Sequence, residues 1–182
     1  DRTEDIVTSV SHTTRPQRMG ETNGVDYFFV DATEFEQMVK DDGFLEHARV
    51  FDHCYGTSRK AVEQAIAQDC SVVLDIDWQG ARQVRRAFPA AVSVYILPPS
   101  VEILFQRLVD RGRDTPEEIT ARPSEAGSEM DHFAEYDHIL INTNFDAALA
   151  ELEALVCRGE PPLSGQDFNV GALVDCAKNV RL

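Results

Sequence analysis

"SVVLDIDWQGARQVRRAFP", residues 71–89, carries the reading of the fold. Ser71 to Asp77 is an apolar run that ends in two aspartates, Asp75 and Asp77. A strand covered on both faces has this look, because neither side of it meets water. The run then passes into a helix that extends to Phe88, where Pro89 stops it. A buried strand feeding directly into a helix is the repeating step of layered α/β proteins.

The same alternation continues on both sides of this stretch. Upstream, Asp5–Val10, Tyr27–Val30 and Phe44–Phe51 read as strands, the last alternating only loosely. Thr33–Lys40 reads as a short helix, and Ser58 caps another that runs to about Ala67 with Ala61, Val62, Ala65 and Ile66 in one stripe. Downstream, Ala91–Leu97 is a buried strand, and Pro98-Pro99-Ser100 opens a helix with Ile103, Leu104 and Leu108 inward. Thr115 to Glu118 forms a capping box with proline at the first helical position. His138–Asn142 reads as a last strand and Asp146–Cys157 as a last amphipathic helix. From Arg158 the periodicity is lost, so residues 158–182 read as a tail with a helical turn around residues 172–177. Strands alternating with helices predict an α/β fold with a largely parallel sheet.

Composition narrows the partners. The 182 residues carry a formal net charge of −15, with 43 % hydrophobic and 27 % charged residues, as in an ordinary soluble domain. A nucleic-acid backbone needs a basic surface, so nucleic acid is excluded as a partner. No apolar run is long enough to span a membrane. Cys54, Cys70, Cys157 and Cys176 are widely spaced and form no metal-binding pair, which reads as reduced thiols in a cytoplasm.

Two groups of residues point to chemistry. In open α/β sheets ligands sit beyond the carboxyl ends of the strands, where Asp75 and Asp77 fall. At i and i+2 they share one face of a strand, and two like charges there call for a cation, a sugar hydroxyl or an arginine. A solvated strand end is the alternative reading. The second group is Arg15 and Arg18, which bracket a proline on a turn-rich loop and could gather a small anion in an otherwise acidic chain. On their own they read as surface charges, and Glu46 reads as a solvent-facing strand residue.

The stretches "SVSHTTRPQRMGETNGVDYFFV", "FLEHARVFDHCYGTSRKAV", "LDIDWQGARQVRRAFP", "ILPPS" and "EMDHFAEYDHILIN" resemble, in unbroken order, successive blocks of the guanylate kinase family. The resemblance covers about residues 5–157. It implies a parallel-sheet P-loop kinase-like core with a GMP-binding subdomain at about residues 11–70 and a helical lid at about 111–130. It implies the reaction ATP + GMP to ADP + GDP, in purine nucleotide metabolism, with Mg2+ accompanying ATP. Carried over by position, Ser11, Arg15, Arg18, Tyr27 and Tyr55 resemble the holders of the GMP phosphate. Glu46 resembles the reader of guanine, and Thr57 the hydroxyl that faces the guanine carbonyl. Asp75 and Asp77 match acidic positions near the GMP sugar and the magnesium-bound phosphates. Arg111 and Arg122 resemble lid arginines that close over the transferring phosphoryl group, with Asp75 and these two forming the catalytic set. Asn142 resembles a residue near the adenine of ATP. The physical chemistry agrees: guanidinium forks suit phosphate oxygens, and phosphoryl transfer rests on positioning and charge neutralisation.

The sequence also departs from the family pattern. The family's strand and G-x-x-x-x-G-K-[ST] loop would precede the first block, and no such motif occurs here. With a start at Asp1 instead of Met, this leads us to expect a chain that keeps the GMP half but lacks the ATP phosphate loop. Pro123 is expected to kink or end the lid helix, at about 3 kcal/mol, and Gly127 to weaken it by about 1 kcal/mol. The resemblance therefore leaves three readings open: an enzyme, a non-catalytic nucleotide- or protein-binding module of the same family, and a fragment without a ligand. A homodimer is compatible with each.

Overall fold

The computed structural model describes residues 5–50, 52–112 and 126–179. The chain divides into two compact units, Asp1–Ala91 and Val92–Leu182.

In the first unit, strands β1 (Ile6–Thr8) and β6 (Ser71–Val73) lie parallel, Val7 opposite Val72. A second sheet has the order β3 (Phe28–Phe29), β2 (His12–Thr13), β5 (His53–Ser58), β4 (Phe44–Val50). β2 and β3 run parallel, whereas β5 is antiparallel to both of its neighbours. Helices α1 (Ala32–Lys40), α2 (Arg59–Ile66) and α3 (Trp78–Ala87) complete the unit. Asp31, Ser58 and Asp77 cap them, each side chain accepting a backbone N–H of the first turn. Leu45, Val62 and Val84 form the core, with Val72, Leu74, Ile76 and Phe88 packed around them.

The loose alternation of Phe44–Phe51 has a local cause. The register of β4 against β5 shifts between Phe44 and Glu46, so Phe44, Leu45 and Glu46 are all buried in succession. Beyond the shift Glu46 faces Thr57 and Ala48 faces Tyr55. Period two then puts Glu46, Ala48 and Val50 on one face with Tyr55 and Thr57.

The run Ser71–Asp77 is shorter as a strand than its sequence suggests: β6 ends at Val73, and Asp77 has become the N-cap of α3. Helix α3 lies along the outer edge of β4. Gln83 donates from Nε2 to the His47 carbonyl at 2.7 Å and accepts the His47 N–H at 3.2 Å, while Gln79 donates to the Arg49 carbonyl at 3.2 Å. These side chains stand where another strand would otherwise pair, which closes part of an edge.

In the second unit β7 (Val94–Leu97) and β8 (His138–Ile141) are parallel, with α4 (Val101–Arg111), α5 (Phe145–Arg158) and α6 (Val170–Asn179). A short helical stretch at residues 126–130 leads into a 3-10 turn, Asp131–Glu135. Leu97, Val101, Met130 and Ile141 pack with Val170, Leu173, Val174 and Ala177 of α6. Residues 158–182, read above as a tail, thus contribute four core side chains, spaced i, i+3, i+4 and i+7. Gly127 also has a function that its poor helix propensity hides. A Cβ at that position would lie 2.8 Å from the Lys178 backbone nitrogen, so only glycine allows this approach to α6. The Thr115 capping box and Pro123 fall outside the described residues. Among the described residues no helix is long and apolar enough to cross a membrane.

Candidate functional site

The first unit holds a cavity of about 330 Å3. Its polar wall is made by Ser11, Tyr27, Glu46, Tyr55, Asp75 and Asp77, and its apolar wall by Ala48, Val50 and Ile76. The β4–β5 register supplies Glu46 and Tyr55 from one face. The segment between β6 and α3 supplies Asp75, Ile76 and Asp77, and the ends of β2 and β3 supply Ser11 and Tyr27.

Glu46 is the unusual residue here, a carboxylate only 3 % exposed. Thr57 Oγ1 donates to its Oε1 at 2.5 Å. Burial raises its pKa above the usual carboxylate value; the Thr57 bond opposes the rise, and the negative charge of Asp77 adds to it. Such a group is costly to leave charged without a partner, which makes it a candidate for recognising paired N–H donors. Thr57 is itself fully buried, and its single hydroxyl proton is engaged by Glu46. In this arrangement it orients the carboxylate and has no proton left for a ligand carbonyl.

Asp77 is held from two sides. Its Oδ1 accepts the Gly80 N–H at 2.9 Å and its Oδ2 accepts Gln79 Nε2 at 2.9 Å. Asp75 is exposed on the same cavity wall. Burial pushes the Tyr27 phenol above its normal pKa, helped by Tyr55 and Asp75, so it stays a neutral hydroxyl donor.

On the loop after β2, Arg15 is 8 % exposed, with its guanidinium 5.4 Å from the Tyr27 ring centre and 5.7 Å from that of Phe29. Its fork is occupied by Glu21. Nη2 donates to Oε1 at 2.7 Å and Nη1 to Oε2 at 3.1 Å, while Nη1 also reaches the Pro16 carbonyl at 2.8 Å. The Glu21 Oε2 atom also accepts the Arg18 backbone N–H at 2.7 Å, so one carboxylate ties both arginine positions together. The hydrogen bonds to Arg15 hold the Glu21 pKa below the usual range. Sequence reasoning missed Glu21, although a lone acid three residues after Arg18 on a loop with two arginines was a usable signal.

Of the residues singled out from the sequence, Ser11, Tyr27, Glu46, Tyr55, Asp75 and Asp77 line this one cavity, and Thr57 touches it through Glu46. Arg15 lies beside Tyr27, and Arg18 is half-buried on the same loop. Asn142 belongs to the second unit, just after β8; its Oδ1 is buried without a hydrogen-bond partner among the described residues. Arg111 is the last residue of α4, and Arg122 lies outside the described residues. Among the described residues no three His, Cys, Asp or Glu side chains converge as a metal site. A Mg2+ ion carried mainly by nucleotide phosphates, with one or two carboxylates nearby, fits that donor set.

The family model described as guanylate kinase matches residues 1–158. The chain belongs to the guanylate kinase family. It is 51 % identical to the guanylate kinase of Methylococcus capsulatus over 93 % of this chain and 83 % of that protein. Against the Escherichia coli K12 guanylate kinase the identity is 48 %, over 93 % of this chain and 82 % of the relative. The solved guanylate kinase of Anaplasma phagocytophilum aligns with a TM-score of 0.75 at 32 % identity, covering 96 % of this chain and 86 % of that one. The α/β architecture with parallel strand pairs is therefore that of a guanylate kinase. These relatives carry the name of an enzyme, and they do not favour the reading of a non-catalytic module.

Proposed function

We propose that the cavity of the first unit binds GMP as the acceptor for a phosphoryl group from ATP, giving GDP and ADP. The observation that carries this reading is Glu46, a buried carboxylate on the cavity wall, oriented by Thr57. Guanine offers a ring N–H and an exocyclic amine side by side, and a carboxylate accepts from both. Adenine presents an acceptor at that edge and would leave the charge unpaired, which is the stronger form of discrimination.

The phosphate end falls to Arg15 and Arg18, with the hydroxyls of Ser11, Tyr27 and Tyr55. Glu21 takes the outer edge of the Arg15 fork, so this arginine arrives already aimed, with its remaining N–H donors for the phosphate. Asp77 is given the sugar side, and Asp75 the Mg2+ that enters with ATP. Arg111 and Arg122 are proposed to neutralise charge on the transferring group, and Asn142 to meet adenine through its buried Oδ1. In this scheme residues 11–70 act as the GMP-binding subdomain and residues 111–130 as the lid. The sequence given contains no G-x-x-x-x-G-K-[ST] motif, and apart from Arg111 and Arg122 no residue in it is assigned to the triphosphate of ATP. A cytoplasmic setting accords with free GMP and ATP as partners.

The test separates phosphate from base. Replacing Arg15 and Arg18 together by alanine is expected to lower GMP affinity about a hundredfold, the loss of two charge-assisted contacts. Guanosine, which has no phosphate, should bind almost as before. Equal losses for GMP and guanosine in calorimetry would show that the arginines only support the loop.

A further inference from the structure

Glycine is a poor helix former, so its presence in the first turn of α3 calls for a reason. Gly80 is the third residue of α3 and is buried. Its backbone is not in the left-handed region, so conformation is not what requires glycine. The reason is space. A Cβ built on Gly80 would fall on Glu46 Oε2, well inside contact distance, and would lie 3.0 Å from the Glu46 carboxyl carbon.

We propose that Gly80 is a specificity-determining positioning residue: its missing methyl group is the seat against which the Glu46 carboxylate rests, and so it aims the base-reading group. The inference depends on the reading of Glu46 given above and names a second residue on which that selectivity rests. Glu46 is held at Oε1 by Thr57 and at Oε2 by the open face of α3. Guanine needs both oxygens in place, because its two donors are fixed in one plane.

What would yield to an added methyl group decides the outcome. The start of α3 is fixed by the Asp77 cap and by Gln79 and Gln83 on β4. The next neighbour, Ile76 Cβ, would be 3.3 Å away, a contact that a few tenths of an ångström relieve. The Glu46 carboxylate is the end of a side chain with three rotatable bonds. It is the part that moves, off Thr57 and out of register with the base. Recognition therefore suffers, whereas the fold does not.

The experiment compares the chain as it stands with Gly80→Ala and Glu46→Gln, titrating each with GMP and with AMP and recording thermal midpoints. The unaltered chain is expected to prefer GMP and Glu46→Gln to lose most of that preference. Gly80→Ala should lose about tenfold or more in GMP affinity with AMP nearly unchanged, since only guanine uses both oxygens. Its midpoint should stay within about 2 °C, as for a substitution absorbed by one side chain. If Gly80→Ala keeps the full GMP preference while Glu46→Gln abolishes it, the inference about Gly80 fails alone. A Gly80→Ala chain that does not fold contradicts the claim that the carboxylate yields. An unaltered chain that binds GMP and AMP alike removes the reading of Glu46 and this inference with it.

Discussion

A carboxylate that is 3 % exposed needs a partner before it is comfortable with its charge, and Thr57 supplies one to Glu46 through its hydroxyl and its backbone. Burial raises its folded pKa above the ordinary value of 4.5, the value that governs the unfolded chain. A group shifted in this direction contributes stability that is fully present below the unfolded pKa and is lost as pH rises through the folded one. Above the folded pKa the ligand-free protein therefore carries a buried charge at the expense of stability. Glu46→Gln should have a higher thermal midpoint than the unaltered chain at pH 8, with the gap closing as pH falls toward 4. A gap that stays constant over this range would mean that the charge is not the cause. None of this was legible locally, because Glu46 alone looks like an outward strand residue. Its burial comes from a register shift in β4 and from α3, which starts more than thirty positions later along the chain. The resemblance named Glu46, Thr57 and the two arginines, but not the contacts that aim them. Glu21 and Gly80 supply those contacts, and neither announces itself without the fold.

Elements with a clean period were legible: α1, α2 and α3 appear within a residue or two of their expected positions. β5 was not anticipated, since "HCYGTS" is polar and short and becomes a strand only between β2 and β4. Ser71–Asp77 reads as one strand because its apolar run carries through to the two aspartates, yet β6 ends at Val73 and both aspartates lie on the cavity wall, Asp77 as the cap of α3. α6 was obscured by the loop "GEPPLSGQDFN" before it, where proline and glycine conceal the onset of a new period. The link between α3 and β4 matters most for the site, because it sets where Glu46 meets Gly80. Gln83→Ala removes both bonds to His47 and should destabilise the protein by about 1 kcal/mol, the net worth of such partly exposed bonds. Urea unfolding would measure it. A change below the error of the extrapolation would show that water replaces the glutamine without loss.

For the molecule as a whole, a formal charge of −15 opposes the approach of any free nucleotide, so affinity must come from fixed local donors. Among the described residues, the acids and phenols that line the cavity all belong to the first unit. The fold class was legible from the strand–helix alternation and is confirmed by the family to which the chain belongs. The division into two compact units was not, because continuous periodicity gives no sign of where internal packing changes partner. The central claim is that this cavity reads guanine through a buried carboxylate. Calorimetric titration of the unaltered chain with GMP and then with AMP tests it most directly. The account predicts that GMP binds at least about a hundredfold more tightly, since adenine would leave the Glu46 charge buried and unpaired. Equal affinities for the two nucleotides would contradict it.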